Sequence, residues 1–110
     1  MFIETPVFTK RITGLLTDEE YRNLQLCLIV NPAAGPVIPG AGGLRKVRVA
    51  ARSQGKRGGA RVIYYWVPSR EQILLLLVYA KNEQANLTPR QARILAAMVK
   101  EEFARETGEL

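Results

Sequence analysis

The run QILLLLVYA, from Gln72 to Ala80, constrains the fold more than any other stretch of the chain. Leu74 to Leu77 offer apolar groups to both sides of an extended backbone, which predicts a central strand. Its apolar part, Ile73 to Ala80, is far shorter than the roughly 20 residues of a bilayer span, so the chain is expected not to enter a membrane. A central strand needs neighbours, and two stretches supply them. Ala60 to Val67 is rich in β-branched and aromatic residues until Pro68 stops it, and Leu44 to Ala51 alternates in character. Between them Arg52 to Gly59 is polar and glycine-bearing, the pattern of a hairpin loop.

The remaining segments read as helices and connections. Residues 2 to 8, FIETPVF, alternate and carry Pro6, which predicts a short edge strand leading into a helix at about Thr9 to Leu16. Thr17 to Glu20 fits a capping box opening a second helix, whose apolar register is Tyr21, Leu24, Cys27 and Leu28 and which Asn31-Pro32 ends. Residues 32 to 43, with three prolines and four glycines, form a long loop. Its Gly42-Gly43 lacks the spacing of a phosphate-cradling motif, so backbone punctuation is the better account. Thr88, Pro89 and Gln91 supply an N-cap, an N1 proline and an N3 partner for a final amphipathic helix to about Arg105. The expected fold is α+β, a small, mostly antiparallel β-sheet backed by helices on one side, in the order β-α-α-β-β-β-α. With 110 residues there is room for one core, so residues 1–110 are expected to form a single domain.

Charge gives the functional direction. The chain holds 16 Lys+Arg against 10 Asp+Glu, but their placement matters more than the sum. Residues 21 to 70 contain no acidic residue while carrying nine cations, seven of them between positions 45 and 61. A solvated surface normally intersperses both signs, so a run of one sign points to an anionic partner. Strand parity sharpens this. Arg45, Val47 and Val49 share one face of their strand, and Lys46 and Arg48 share the other. On the partner strand Arg61, Ile63 and Tyr65 fall together, while Val62, Tyr64 and Trp66 join Val47 and Val49 beneath the helices. Long cations beside Tyr65 on an open sheet suit RNA, because guanidinium forks grip phosphate oxygens and aromatic rings stack on bases.

Catalysis on that face is restricted by composition. Cleaving RNA through its 2′-OH needs a base, charge stabilisation at phosphorus and an acid for the 5′ oxygen. The chain has no histidine. A lysine crowded by cations can have its pKa lowered, and arginines can stabilise the dianionic transition state, so a lysine and arginine site is chemically possible. No metal or other cofactor is expected, for the basic half has no carboxylate cluster. Chemistry alone therefore reads the chain as an RNA-binding domain. The lone Cys27 is expected to pack in the apolar register of its helix, and with no secretory leader visible it agrees with a reducing cytoplasm.

Three segments carry a resemblance to a known family. GGLRKVRVA (42 to 50), GKRGGARVIYYW (55 to 66) and LLVYAKNEQANLT (76 to 88) resemble, in this order and spacing, the RelE superfamily of bacterial toxins, and specifically its HigB-like branch. The likeness spans nearly the whole chain. It implies the toxin of a type II toxin–antitoxin pair, a ribosome-dependent mRNA endoribonuclease that cuts the codon in the A site and halts translation. It also implies a cognate antitoxin, of helix-turn-helix type, through which alone operator DNA would be reached. Position by position, the family's paired basic residues fall on Lys46 and Arg48, its strand-opening arginine on Arg61 and its basic segment after the last strand on Lys81. Lys56 and Arg57 are the implied RNA or ribosome contacts, and Arg45, Arg52 and Tyr65 are expected to join them from the basic run and the sheet face. Lys46 or Lys81 would handle protons, with Glu83 a secondary base. The sequence departs from the RelE pattern at Asn82, in lacking a C-terminal tyrosine, and in lacking the His/Glu residues of other branches. The alternative reading is a non-catalytic nucleic-acid binder acting with an antitoxin as a co-repressor.

Overall fold

The computed structural model describes residues 1–51 and 59–107, with side chains in the last helix as far as Glu102. The elements follow the expected order: β1 (Phe2–Glu4), α1 (Pro6–Leu15), α2 (Asp18–Val30), β2 (Arg45–Val49), β3 (Ala60–Val67), β4 (Gln72–Ala80) and α3 (Pro89–Thr107). The strands form one sheet in the order β1-β4-β3-β2, antiparallel except that β1 runs parallel to β4. The leucine-rich strand is central, as its two apolar faces require. Tyr64 shows how the long loop is fixed to the sheet: its buried hydroxyl donates to Pro32 O and accepts from Gly35 N, both at 2.8 Å. The loop then runs beside the outer edge of β2, where Lys46 N donates to Pro36 O at 3.1 Å and occupies part of an edge that would otherwise stay unpaired.

Both capping boxes form. Thr17 Oγ accepts from Glu20 N while Glu20 returns to Thr17 N, and Thr88 and Gln91 make the same reciprocal pair. Pro6 needs a correction. It opens α1 instead of closing a strand at residue 8, because proline's missing N–H and fixed φ suit the first helical position, and Thr5 before it caps the helix by accepting from Phe8 N at 3.1 Å. β1 is therefore only three residues long. Its Glu4 accepts hydrogen bonds from Thr9 and from the Tyr21 hydroxyl, joining β1, α1 and α2; burial first, then this carboxylate, raises the Tyr21 hydroxyl above its ordinary value.

Two further expectations are corrected. The helices do not share one side of the sheet. α1 and α2 pack on Val47, Val49, Val62, Tyr64, Ile73 and Leu75, whereas α3 packs through Leu95 and Val99 on Ile63, Leu74, Leu77 and Tyr79. A strand apolar on both sides needs cover on both. Between Ile63 and Tyr64 of β3 the pairing slips past Leu76, a bulge that leaves Leu76 and Leu77 both on the α3 side. Cys27 is exposed instead of packed. At about 100° per residue it lies roughly 90° from the centre of the stripe set by Tyr21, Leu24 and Leu28, outside the buried arc.

Candidate nucleic-acid interface

Register turns the charge-rich stretch into a surface. Val47 and Val49 face α1 and α2, so Lys46 and Arg48 project from the other side of β2. Arg61 stands directly opposite Arg48 in the β2–β3 ladder, and Tyr79 stands opposite Arg61 in the β3–β4 ladder. One row across the sheet is therefore Arg48, Arg61, Tyr79, and the next row on that face is Lys46, Ile63, Leu77. Opposed Cβ atoms in such ladders are about 4.5–5.5 Å apart, so two guanidinium side chains begin side by side. Arg48 is exposed; Lys46 and Arg61 are half-buried. Among the described residues no carboxylate forms an ion pair with any of the three.

This arrangement opposes stability when it is empty. Like charges facing each other weaken a ladder. Arg61 Nε and Tyr79 Oη are each buried without a hydrogen-bond partner, and an unmet buried polar group costs about 1–3 kcal/mol. Burial raises the Tyr79 hydroxyl above its ordinary value, and the charge on Arg61 opposes that rise, so the group stays a protonated donor at neutral pH. An anion lying on the row would offset the repulsion and give the guanidinium edges a ligand.

Lys81 lies at the same end of the sheet. Its N–H donates to Gly59 O at 3.0 Å, one step beyond the Ala60–Ala80 pair that precedes the arginine row. The structure thus gathers Lys46, Arg48 and Arg61 on the face that also carries α3, with the Lys81 backbone at the same end of the sheet. Two other expected contacts lie elsewhere. Arg45 donates through Nη1 to Gly35 O at 2.9 Å, toward the loop held by Tyr64. Tyr65 is on the cationic face but about 13 Å along β3 from Arg61, with its ring packed against Gly43 and the α3 core. Arg52, Lys56 and Arg57 lie outside the described residues.

Glu83 is occupied. Arg11 Nη2 reaches both of its carboxylate oxygens, at 2.9 and 2.8 Å, and Ala80 N donates to Oε1 at 2.9 Å, so this side chain ties α1 to the end of β4. Glu83→Gln keeps an acceptor for Ala80 N and loses an ion pair whose partners are 35% and 44% exposed, so thermal melting should register a loss below about 1 kcal/mol. Tyr79 is the site residue that the sequence did not single out. Its strand is apolar on both sides, and only the register with β3 places it next to Arg61.

The fold and register define a small α+β domain with Lys46, Arg48 and Arg61 on one sheet face, and two comparisons make it particular. Residues 7–110 match the family described as RelE toxin of RelE / RelB toxin-antitoxin system, and the chain belongs to that family. A chain in the crystal structure of the intact E. coli RelBE toxin–antitoxin complex has the same fold, with a TM-score of 0.56 at 13% sequence identity over 73% of this chain and 94% of that chain. The protein is thus a toxin-family member of a toxin–antitoxin system with the RelE fold.

Proposed function

We propose that the protein, as one domain over residues 1–110, is a HigB-like mRNA interferase that acts in the cytoplasm and cuts mRNA in the ribosomal A site. The observation that carries this reading is Arg61, opposite Arg48 and beside Lys46 with no acidic partner among the described residues, a receptor for phosphodiester and for the extra charge of its transition state. In the reaction the 2′-oxygen bonds to phosphorus and the 5′-oxygen leaves, giving a 2′,3′-cyclic phosphate and a 5′-hydroxyl. Arg61 and Arg48 neutralise the phosphorane, and Lys46 and Lys81 accept and return the proton. No cofactor takes part. Arg45, Arg52, Lys56, Arg57 and Tyr65 serve as further contacts to RNA or ribosome. The partner in the cell is a helix-turn-helix antitoxin that covers the cationic face and carries the pair to operator DNA.

One observation favours the non-catalytic alternative: Glu83, the carboxylate expected as a secondary base, is held by Arg11 and Ala80 N. Induction in cells separates the two readings. Pulse labelling should show protein synthesis halting within minutes of induction and recovering when the antitoxin is co-expressed. Undiminished labelling would leave only the binding role.

A further inference from the structure

The geometry points to Tyr79 as a positioning residue for Arg61: its hydroxyl accepts the Arg61 Nε–H and aims the two outer guanidinium nitrogens at the phosphodiester of bound RNA. This role rests on the interferase reading and adds a residue to that site. Tyr79 is only 1% exposed, yet its Oη has no hydrogen-bond partner. The second buried side-chain polar atom without one, among the described residues, is Arg61 Nε. These two belong to residues opposite each other on one sheet face.

Their chemistry is complementary. Nε is a donor only, and a phenol oxygen accepts as well as donates. The fold is able to satisfy a buried tyrosine where it uses one for structure, for Tyr64 Oη, equally buried, both donates and accepts at 2.8 Å. Tyr64 and Tyr79 each face an arginine across a ladder, but the Tyr79 hydroxyl has no backbone partner, which leaves it open to the equally unmet Arg61 Nε. Rotation of the arginine side chain toward Oη to close Nε–H···Oη fixes the plane of the guanidinium. A fixed plane matters because a fork binds phosphate oxygens in parallel only when it is aligned with them. The hydroxyl itself stays below the surface and does not touch RNA.

Tyr79→Phe removes the oxygen and keeps the ring. Cleavage on translating ribosomes should fall about 10-fold in kcat/KM, since what is lost is the alignment of the fork on the bound phosphodiester rather than charge. Melting should be unchanged or slightly raised, because a buried hydroxyl without a partner is gone. The decisive arm is a double-mutant cycle: in an Arg61→Lys background, which keeps the charge but has no Nε, Tyr79→Phe should have no further effect. Additive losses, or native cleavage by Tyr79→Phe, would overturn the assignment. Affinity for a 2′-O-methyl oligoribonucleotide, which cannot be cut, gives a second readout, with the same Arg61-dependent weakening of about 10-fold expected. If the wild-type protein binds this probe but cuts nothing, the interferase reading fails while the cycle on affinity still decides the role of Tyr79. A wild type that neither cuts nor binds overturns both.

Discussion

Arg61→Ala should abolish toxicity and leave the protein folded. Removal of one preorganised donor at a site of developing charge lowers turnover by about 10²–10³-fold, and Arg61 offers more than one donor together with a full positive charge. The effect on stability has the opposite sign from that of most half-buried residues. Arg61 faces Arg48 across the ladder, makes no ion pair with the described residues and buries its Nε unmet, so truncation relieves repulsion and an unsatisfied donor while losing the packing of its stem. The melting temperature should stay within a few degrees of the parent. Growth arrest on induction together with a thermal melt checks both halves. Full toxicity in a folded Arg61→Ala protein would remove Arg61 from the site, and loss of folding would show that its role is structural.

The largest loss of stability is expected from Gly59→Ala. Gly59 immediately precedes β3 with φ +74, in the left-handed region where a Cβ costs about 1–2 kcal/mol. Space is the greater problem, for that Cβ would lie 2.3 Å from Val49 O. Val49 is the last residue of β2 and pairs with Ala60, so the obstruction falls on backbone that cannot yield without parting the hairpin. Overpacking of this kind adds about 1–3 kcal/mol, for a total of about 2–5 kcal/mol. That is a large share of the roughly 5–15 kcal/mol of a typical domain. Urea denaturation should show the midpoint falling with little change in slope. An unmoved midpoint would mean that the strand start is not held as described. Because Gly59 O also receives the Lys81 N–H and Arg61 is two residues on, the same substitution should disturb the cationic row before it unfolds the protein.

Local signals in the sequence were sufficient wherever the physics is local. Thr17 with Glu20 and Thr88 with Gln91 close their capping boxes as written, and Leu74 to Leu77 occupy a central strand. Pro6 shows where one residue satisfies two rules: proline suits an edge strand and also the first turn of a helix, and Thr5 before it was the signal that decides. Strand parity correctly separated Lys46, Arg48 and Arg61 from Val47, Val49 and Val62. Parity within a strand does not say what lies across the next one. Tyr79 came beside Arg61 through the β3–β4 register and the bulge at Leu76, which depend on how the chain turns after Pro68. Arg45 was drawn to Gly35 O by the path of a proline- and glycine-rich loop that no periodicity describes. The place of α3 was more accessible: a strand apolar on both sides called for a second covering layer, and α3 is that layer.

Primer extension on an mRNA under active translation tests the central claim most directly. The 3′ ends should fall in phase with codons, appear only when ribosomes are translating and vanish with Arg61→Ala. Cuts with no codon phase, or equal cutting of the same RNA without ribosomes, would contradict it.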